Sequence, residues 1–184
     1  MKPPSIGVRR ALASICVGAA VLIVIAAGLP SRAAYTGQFI AGEGFAAPEI
    51  GASAPDFSTM RLSGEPFVLS QTRGTPIILN FWATWCVPCE IEMPELQALH
   101  VAHPSIRVIG VNLSESPAVI ADWMARGGFT FDIALDPAGQ IASLYALRGQ
   151  PTTFILSPSG VILEILYGAT TRAALEDILA PYLG

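Results

Sequence analysis

Charge is scarce in this chain of 184 residues: 13% are Asp, Glu, Lys or Arg, about half the usual quarter. Lysine is scarcer still, since Lys2 is the last one. From Tyr35 onward six arginines face all fourteen acids, a net charge of −8. A lysine-free acidic body excludes a phosphate-backbone binder. The shortage of charge, with 52% apolar residues and a mean hydropathy of +0.55, excludes a disordered chain. A second long apolar run is also missing, which excludes a polytopic membrane protein. No internal repeat is visible, so a repeat array is excluded too.

What is there begins with a basic start. Lys2, Arg9, Arg10 and Arg32 are the only ionisable side chains before Tyr35. Residues 11–29 (ALASICVGAAVLIVIAAGL) carry no charge and as a helix would span roughly 28 Å, close to a bilayer core. The expectation is a cytoplasmic tail over 1–10 and a transmembrane signal anchor over 11–29. The basic flank keeps the N-terminus inside and places the body outside. Cleavage before Ala34, after Ser31-Arg32-Ala33, is the rival reading; the body would then be secreted into the same compartment. Arg9-Arg10 fits a twin-arginine signal poorly, given the residues that follow. Cys16 follows a bulky Ile15, unlike a lipid-attachment cysteine, and reads as a small membrane residue. Residues 30–47, Gly/Ala-rich with few large side chains, are expected to form a flexible linker. The folded domain is expected over 48–184.

Within the body, continuous apolar runs at Ile77–Trp82 and Arg107–Asn112 predict strands buried on both faces. Further strands are expected at Phe67–Leu69, Phe131–Leu135, Thr152–Leu156 and Val161–Tyr167, the last two flanking a Ser157–Gly160 turn. Helices are expected from the cysteines to about Ala102, with Ile91, Leu96 and Leu99 at helical spacing. Others are expected at Pro117–Arg126 (Ser116 as cap, Gly127-Gly128 as stop), at Pro137–Leu147 behind Asp136, and at Thr171–Leu183 with Leu175, Ile178 and Leu179 on one face. Strands alternating with helices before a terminal hairpin and helix predict an α/β sandwich with a mixed sheet.

The chemistry-bearing motif is Trp85-Cys86-Val87-Pro88-Cys89, which follows a buried strand and opens a helix. Two residues between cysteines at a helix start permit a small, weakly strained disulfide ring. The first sulfur then lies near unpaired N–H groups and the positive helix end, which favours its thiolate. Cys86 is therefore expected to be exposed and attacking, and Cys89 to be more buried and resolving. A structural disulfide is the bland alternative, but so short a loop contributes little chain entropy. A zinc site is the sharper one, because His100 and His103 follow as C-x2-C-x10-H-x2-H. On one helix, however, His100 lies roughly 16 Å beyond Cys89, too far for shared coordination. No metal ligand set is assigned, and the histidines read as surface or helix-end residues.

The stretch Phe81–Cys89 resembles the active site of the thioredoxin superfamily. Asn80 to Leu96, with Cys89-x-x-Glu92-x-Pro94, is similar to the membrane-anchored TlpA/ResA-type branch. Gly149-Gln150-Pro151-Thr152-Thr153-Phe154 resembles the family's cis-proline loop, and Gly51–Phe57 its usual domain start; the likeness covers roughly 48–184. The resemblance implies a thioredoxin-like mixed sheet sandwiched by helices, with an extra helix–strand insert (Pro117–Leu135). It implies a cis Pro151 against a redox-active Cys86–Cys89 disulfide, with no other cofactor. Trp85, Val87, Pro88, Gln150, Pro151 and Thr152 are expected to form the substrate surface. Thr153 and Phe154 read as ordinary strand residues, and Pro94 as a kink in the active-site helix. Thioredoxin's buried aspartate is replaced by Asn80, so Glu92 is the expected proton carrier for Cys89.

With no cation between the cysteines, and with Glu90 and Glu92 nearby, the thiolate is weakly stabilised and the protein is expected to be a reductant. The reading is an extracytoplasmic thiol–disulfide oxidoreductase. Its implied substrates are protein disulfides, such as those met in cytochrome c or oxidase maturation. A transmembrane electron donor of CcdA/DsbD type is implied as a partner. A copper-site metallochaperone and a thiol peroxidase are the alternatives. The first is disfavoured by the C-x2-C spacing and the lack of a histidine after His103, and the second by Ala83 where a peroxidase would carry threonine.

Overall fold

Ile77–Trp82 contains six consecutive buried residues, the pattern of a strand covered on both faces. In the computed structural model this strand, β5, is the centre of a five-stranded sheet. The structure describes residues 38–40 and 44–183. The expected tail, the anchor over 11–29, the alternative cleavage site and most of the expected linker lie outside the described residues. Among the described residues, no helix is long and apolar enough to cross a membrane.

Two short antiparallel pairs precede the main sheet: β1 (Gln38–Ile40) with β2 (Gly44–Ala46), and β3 (Ser58–Met60) with β4 (Pro66–Val68). The first pair falls within the stretch expected as a linker, and Ala46 and Ala47 are buried. A 3-10 turn over Leu69–Thr72 takes Leu69 out of the expected strand. The main sheet runs β7 (Asp132–Asp136), β6 (Arg107–Leu113), β5, β8 (Thr152–Leu156), β9 (Ile162–Tyr167). β5, β6 and β7 are mutually parallel, whereas β8 is antiparallel to both β5 and β9. The architecture is a thioredoxin-like α/β fold with a mixed sheet.

Among the described residues four helices accompany the sheet: α1 (Val87–Ala102), α2 (Pro117–Gly127), α3 (Gln140–Leu144) and α4 (Arg172–Leu179). The alternation of β5 divides the core. Ile78 and Trp82 pack with Met93, Leu96 and Leu99 of α1, Ile120 and Met124 of α2, and Leu175 and Leu179 of α4. Ile77, Leu79 and Phe81 point the other way, into a cluster with Phe57, Phe67, Tyr145 and Phe154. Gly110 on β6 allows the close approach of layers: a Cβ there would lie 2.7 Å from Trp82 Nε1 and 2.8 Å from Ile133 Cδ1.

Several boundaries differ from expectation for identifiable reasons. The helix expected over Pro137–Leu147 shrinks to Gln140–Leu144, because Gly139 (φ +67°) and Ala146 (φ +48°) are left-handed and interrupt it. The N-cap is Gly139 rather than the expected Asp136, although the Asp136 carboxylate accepts from the amides of Ile141 (3.2 Å) and Ala142 (2.8 Å) in the first turn. The closing helix stops at Leu179 and ends in a 3-10 turn, Ala180–Tyr182, since Pro181 has no N–H to continue it. Ile91 is 66% exposed; the buried stripe of α1 is Cys89, Met93, Leu96 and Leu99, with Glu92 among them. α2 keeps its expected caps, Ser116 before it and the left-handed Gly128 after it.

Candidate active site

The carboxyl end of β5 leads through Ala83–Trp85 into Cys86, the N-cap of α1. Pro88 occupies the first turn, where its missing N–H costs nothing. Cys86 and Cys89 form a disulfide with Cα atoms 5.2 Å apart, and the Cys89 amide donates to Cys86 Sγ at 3.2 Å. This sulfur therefore accepts one of the orphan N–H groups at the positive end of the helix.

Burial corrects one expectation. Cys86 is only 5% exposed and Cys89 1%, so the order holds but Cys86 is not open to solvent in this oxidised form. Its sulfur is bonded inward to Cys89. What lies exposed is the frame: Trp85 at 67% and Val87 at 68%, with Pro88 also exposed. Trp85 is therefore not a core aromatic. Ile91, one turn after Val87, extends this apolar strip.

The proline loop arrives from the antiparallel neighbour. The register pairs Phe81 with Thr152 and Asn80 with Thr153, which sets Pro151 beside the end of β5. The Gln150–Pro151 peptide is cis. Pro151 and Thr152 are buried and Gln150 is half-buried. The Thr152 hydroxyl donates to the Gly149 carbonyl (2.8 Å).

Beneath the disulfide lies a buried carboxyl. Glu92, 1% exposed, is one turn beyond Cys89 on the same helix. Its Oε2 accepts from Asn80 Nδ2 (2.8 Å); its Oε1 accepts from the Thr153 hydroxyl (3.2 Å) and the Thr170 amide (3.4 Å). Asn80 Nδ2 also donates to Thr153 Oγ1 (2.8 Å), which closes the triangle. Burial pushes the Glu92 pKa up to about 7, against the opposing pull of these donors. Thr153, read from sequence as an ordinary strand residue, is thus a direct partner of the carboxyl. The signal was its cross-strand pairing with Asn80, which needs the register to be known.

A second carboxylate was missed altogether. Glu115, just past β6, accepts from both the backbone amide (2.7 Å) and the hydroxyl of Thr84, and from Asn112 Nδ2 (2.8 Å). It ties down the loop two residues ahead of Cys86. Nothing in its local sequence distinguishes it from a solvated loop acid. Elsewhere, His103 closes α1 and its Nε2 meets Glu176 Oε1 at 2.8 Å, while His100 lies edge-on to Phe131. Among the described residues, no group of three or more His, Cys, Asp or Glu side chains is arranged to hold a metal ion.

Comparison with known proteins is consistent with this geometry. The profile of the AhpC/TSA family matches residues 50–165. The thiol-disulfide oxidoreductase ResA of Geobacillus kaustophilus is 33% identical over 159 residues, covering 85% of this chain and 89% of that protein. The ResA of Bacillus subtilis is 31% identical over 131 residues, covering 70% and 73%. Among solved structures, a thiol:disulfide interchange protein DsbE from Chlorobium tepidum aligns with a TM-score of 0.69 and 31% identity, over 74% of this chain and 99% of the other. StoA from Bacillus subtilis aligns with a TM-score of 0.60 and 31% identity, over 70% and 98%.

Proposed function

Because the chain belongs to the AhpC/TSA family, and within it to the ResA-type thiol-disulfide oxidoreductases, we propose that it reduces disulfides of extracytoplasmic proteins through Cys86 and Cys89. Thiol-disulfide oxidoreductase activity is what its ResA relatives are named for. The direction, the substrates and the role of each residue are the proposal. One observation carries it: a disulfide at the N-terminus of α1 with a buried, readily titrated carboxyl one turn below.

In the reduced protein the Cys86 thiolate attacks a substrate disulfide, forming a mixed disulfide and releasing one substrate thiolate. Cys89 gives its proton to Glu92, and the resulting thiolate attacks Cys86 Sγ. The Cys86–Cys89 disulfide forms and the second substrate thiolate leaves, taking up a proton. The substrate gains two electrons and the protein loses two. A donor dithiol, of the CcdA/DsbD type, restores the reduced state. Glu92 suits the proton step because a group titrating near neutrality can both accept and return a proton.

Trp85, Val87 and Pro88 present an exposed apolar rim to the incoming chain. Gln150, Pro151 and Thr152 form the opposing loop, where a residue without an N–H leaves neighbouring backbone free to pair with an extended substrate. Cytochrome c or oxidase maturation substrates fit this chemistry, since both need cysteines kept reduced before a cofactor binds. The apolar run over 11–29 supports a single-pass anchor with the domain over 48–184 outside the membrane.

Trapping tests the reading. In cells, Cys89→Ser is expected to accumulate a mixed disulfide on Cys86, and the mass of the captured protein names the substrate. If the variant is expressed and folded but captures nothing, the protein-reductase reading fails.

A further inference from the structure

Glu92 has three hydrogen-bond partners, and they are not chemically alike. Asn80 Nδ2 has two hydrogens, and both are in use, one to Glu92 Oε2 and one to Thr153 Oγ1. The Thr170 backbone N–H can only donate. Thr153 Oγ1 carries one hydrogen and two lone pairs, so it alone can donate to the carboxylate and accept from the carboxylic acid. Thr153 and Asn80 are both 0% exposed, so water does not readily take over this task. The other end of the Asn80 amide, Oδ1, is buried and has no partner among the described residues, so the donor bonds to Glu92 and Thr153 are what orient the amide. A buried unpartnered acceptor is a cost that packing alone does not explain.

We propose that Thr153 is a positioning residue for the thiol–disulfide reaction, holding Glu92 below the disulfide in both protonation states while favouring the charged one. The inference rests on the reading of Glu92 as proton carrier, which it deepens. The bias towards the carboxylate follows because a hydrogen bond to an ionised acceptor is roughly twice as strong as one to a neutral group.

The surroundings leave few other groups to set this balance. Facing Glu92 from β5, β8 and the segment before α4 are the neutral groups of Asn80, Thr153 and Thr170. On its own helix, Cys89 lies one turn before it. Glu95 lies one turn after, and its Oε2 accepts instead from the Arg172 amide at 2.7 Å. On α4 the Arg172 side chain is engaged with Glu176 at 2.6 Å, and Glu176 with His103.

The test is the titration of Glu92 in the folded, oxidised protein, followed by carboxyl carbon NMR in wild type, Thr153→Val and Thr153→Ser. Valine keeps the shape and removes the hydroxyl; serine keeps the hydroxyl. Thr153→Val is expected to raise the midpoint by about one pH unit, a tenfold change in the ratio of ionised to neutral carboxyl. Thr153→Ser is expected to stay near wild type. An unmoved or lowered midpoint in Thr153→Val overturns the inference, as does an equal shift in Thr153→Ser. The pH profile for reducing a synthetic peptide with a C-x-x-C disulfide separates this from the reading beneath it. A profile that follows the NMR midpoint supports both. If NMR shifts and turnover does not, the positioning by Thr153 stands and Glu92 is not the proton carrier.

Discussion

The two faces of the central sheet share strands yet differ in kind. On the face covered by α1, α2 and α4, buried Asn80, Glu92, Asn112 and Thr153 interrupt the apolar packing. Four buried atoms near that face, Asn80 Oδ1, Trp82 Nε1, His100 Nδ1 and Asn112 Oδ1, have no partner among the described residues. On the other face Phe81 lies 5.2 Å from Tyr145 and 5.7 Å from Phe154, and Phe57 joins Phe67 and Tyr145, measured between ring centroids. The polar handle there, the Tyr145 hydroxyl, is satisfied by the Pro55 carbonyl at 2.8 Å. An unsatisfied buried polar group costs about 1–3 kcal/mol. One face thus carries buried polar groups, among them the Asn80–Glu92–Thr153 cluster one turn from Cys89, and the other supplies well-paired aromatic packing. Adjacent residues on β5, Asn80 and Phe81, belong to opposite sides of this division.

Phe81→Ala gives the largest expected effect on stability. Truncating a fully buried aromatic costs about 3–5 kcal/mol, which urea unfolding would read as a lowered midpoint. Turnover per folded molecule should remain near wild type, because the deleted ring points away from the disulfide face. A large loss of turnover in protein shown to be folded would break the division between the faces.

Glu92→Gln acts on the other face with a smaller effect that depends on pH. The folded Glu92 pKa is about 7 against an ordinary 4.5, so the folded state holds a proton that the unfolded chain has lost between these values. The contribution of Glu92 to stability is therefore fullest below about pH 4.5 and declines as pH rises to 7, by about 3 kcal/mol. Glu92→Gln cannot titrate and should lose that slope, becoming relatively more stable at pH 8. The same variant should slow release of substrate from the mixed disulfide. A wild-type stability curve flat from pH 5 to 8, or unchanged turnover across pH, would remove Glu92 from the proposal.

How much of this was legible in the sequence follows from what each signal depends on. The buried strand Ile77–Trp82, the C-x2-C motif and the proline loop are local patterns, and they point to the sheet centre and to both sides of the candidate site. Glu92 was legible through its spacing from Cys89, although as a helix acid its burial was not. Thr153 and Glu115 were not legible, since their roles arise from contacts 61 and 31 residues away in sequence. Ile91 misled because an apolar residue at helical spacing need not face the core. It extends the exposed strip beside Val87 instead. The helix after Asp136 was overextended because left-handed Gly139 and Ala146 override a pattern that otherwise suits a longer helix.

The smallest expected change in stability sharpens the comparison from outside the core. Trp85 belongs to the disulfide end of the molecule but, at 67% exposed, buries little of its ring against the fold. Surface substitutions of this kind usually alter stability by no more than about 0.5 kcal/mol, so Trp85→Ala should unfold at nearly the wild-type urea concentration. Its effect should fall on the substrate. An aromatic side chain that is solvated in the free protein and covered in the mixed disulfide contributes to docking alone, so KM should rise while the pH midpoint set by Glu92 stays fixed. Kinetics with a folded protein disulfide and with a short C-x-x-C peptide would separate the two contributions. The larger substrate should lose more, because a folded partner would cover more of the exposed rim formed by Trp85, Val87 and Ile91. Equal losses on both substrates would place Trp85 at the sulfur chemistry rather than at the docking surface, and a large loss of stability would place it in the core despite its exposure.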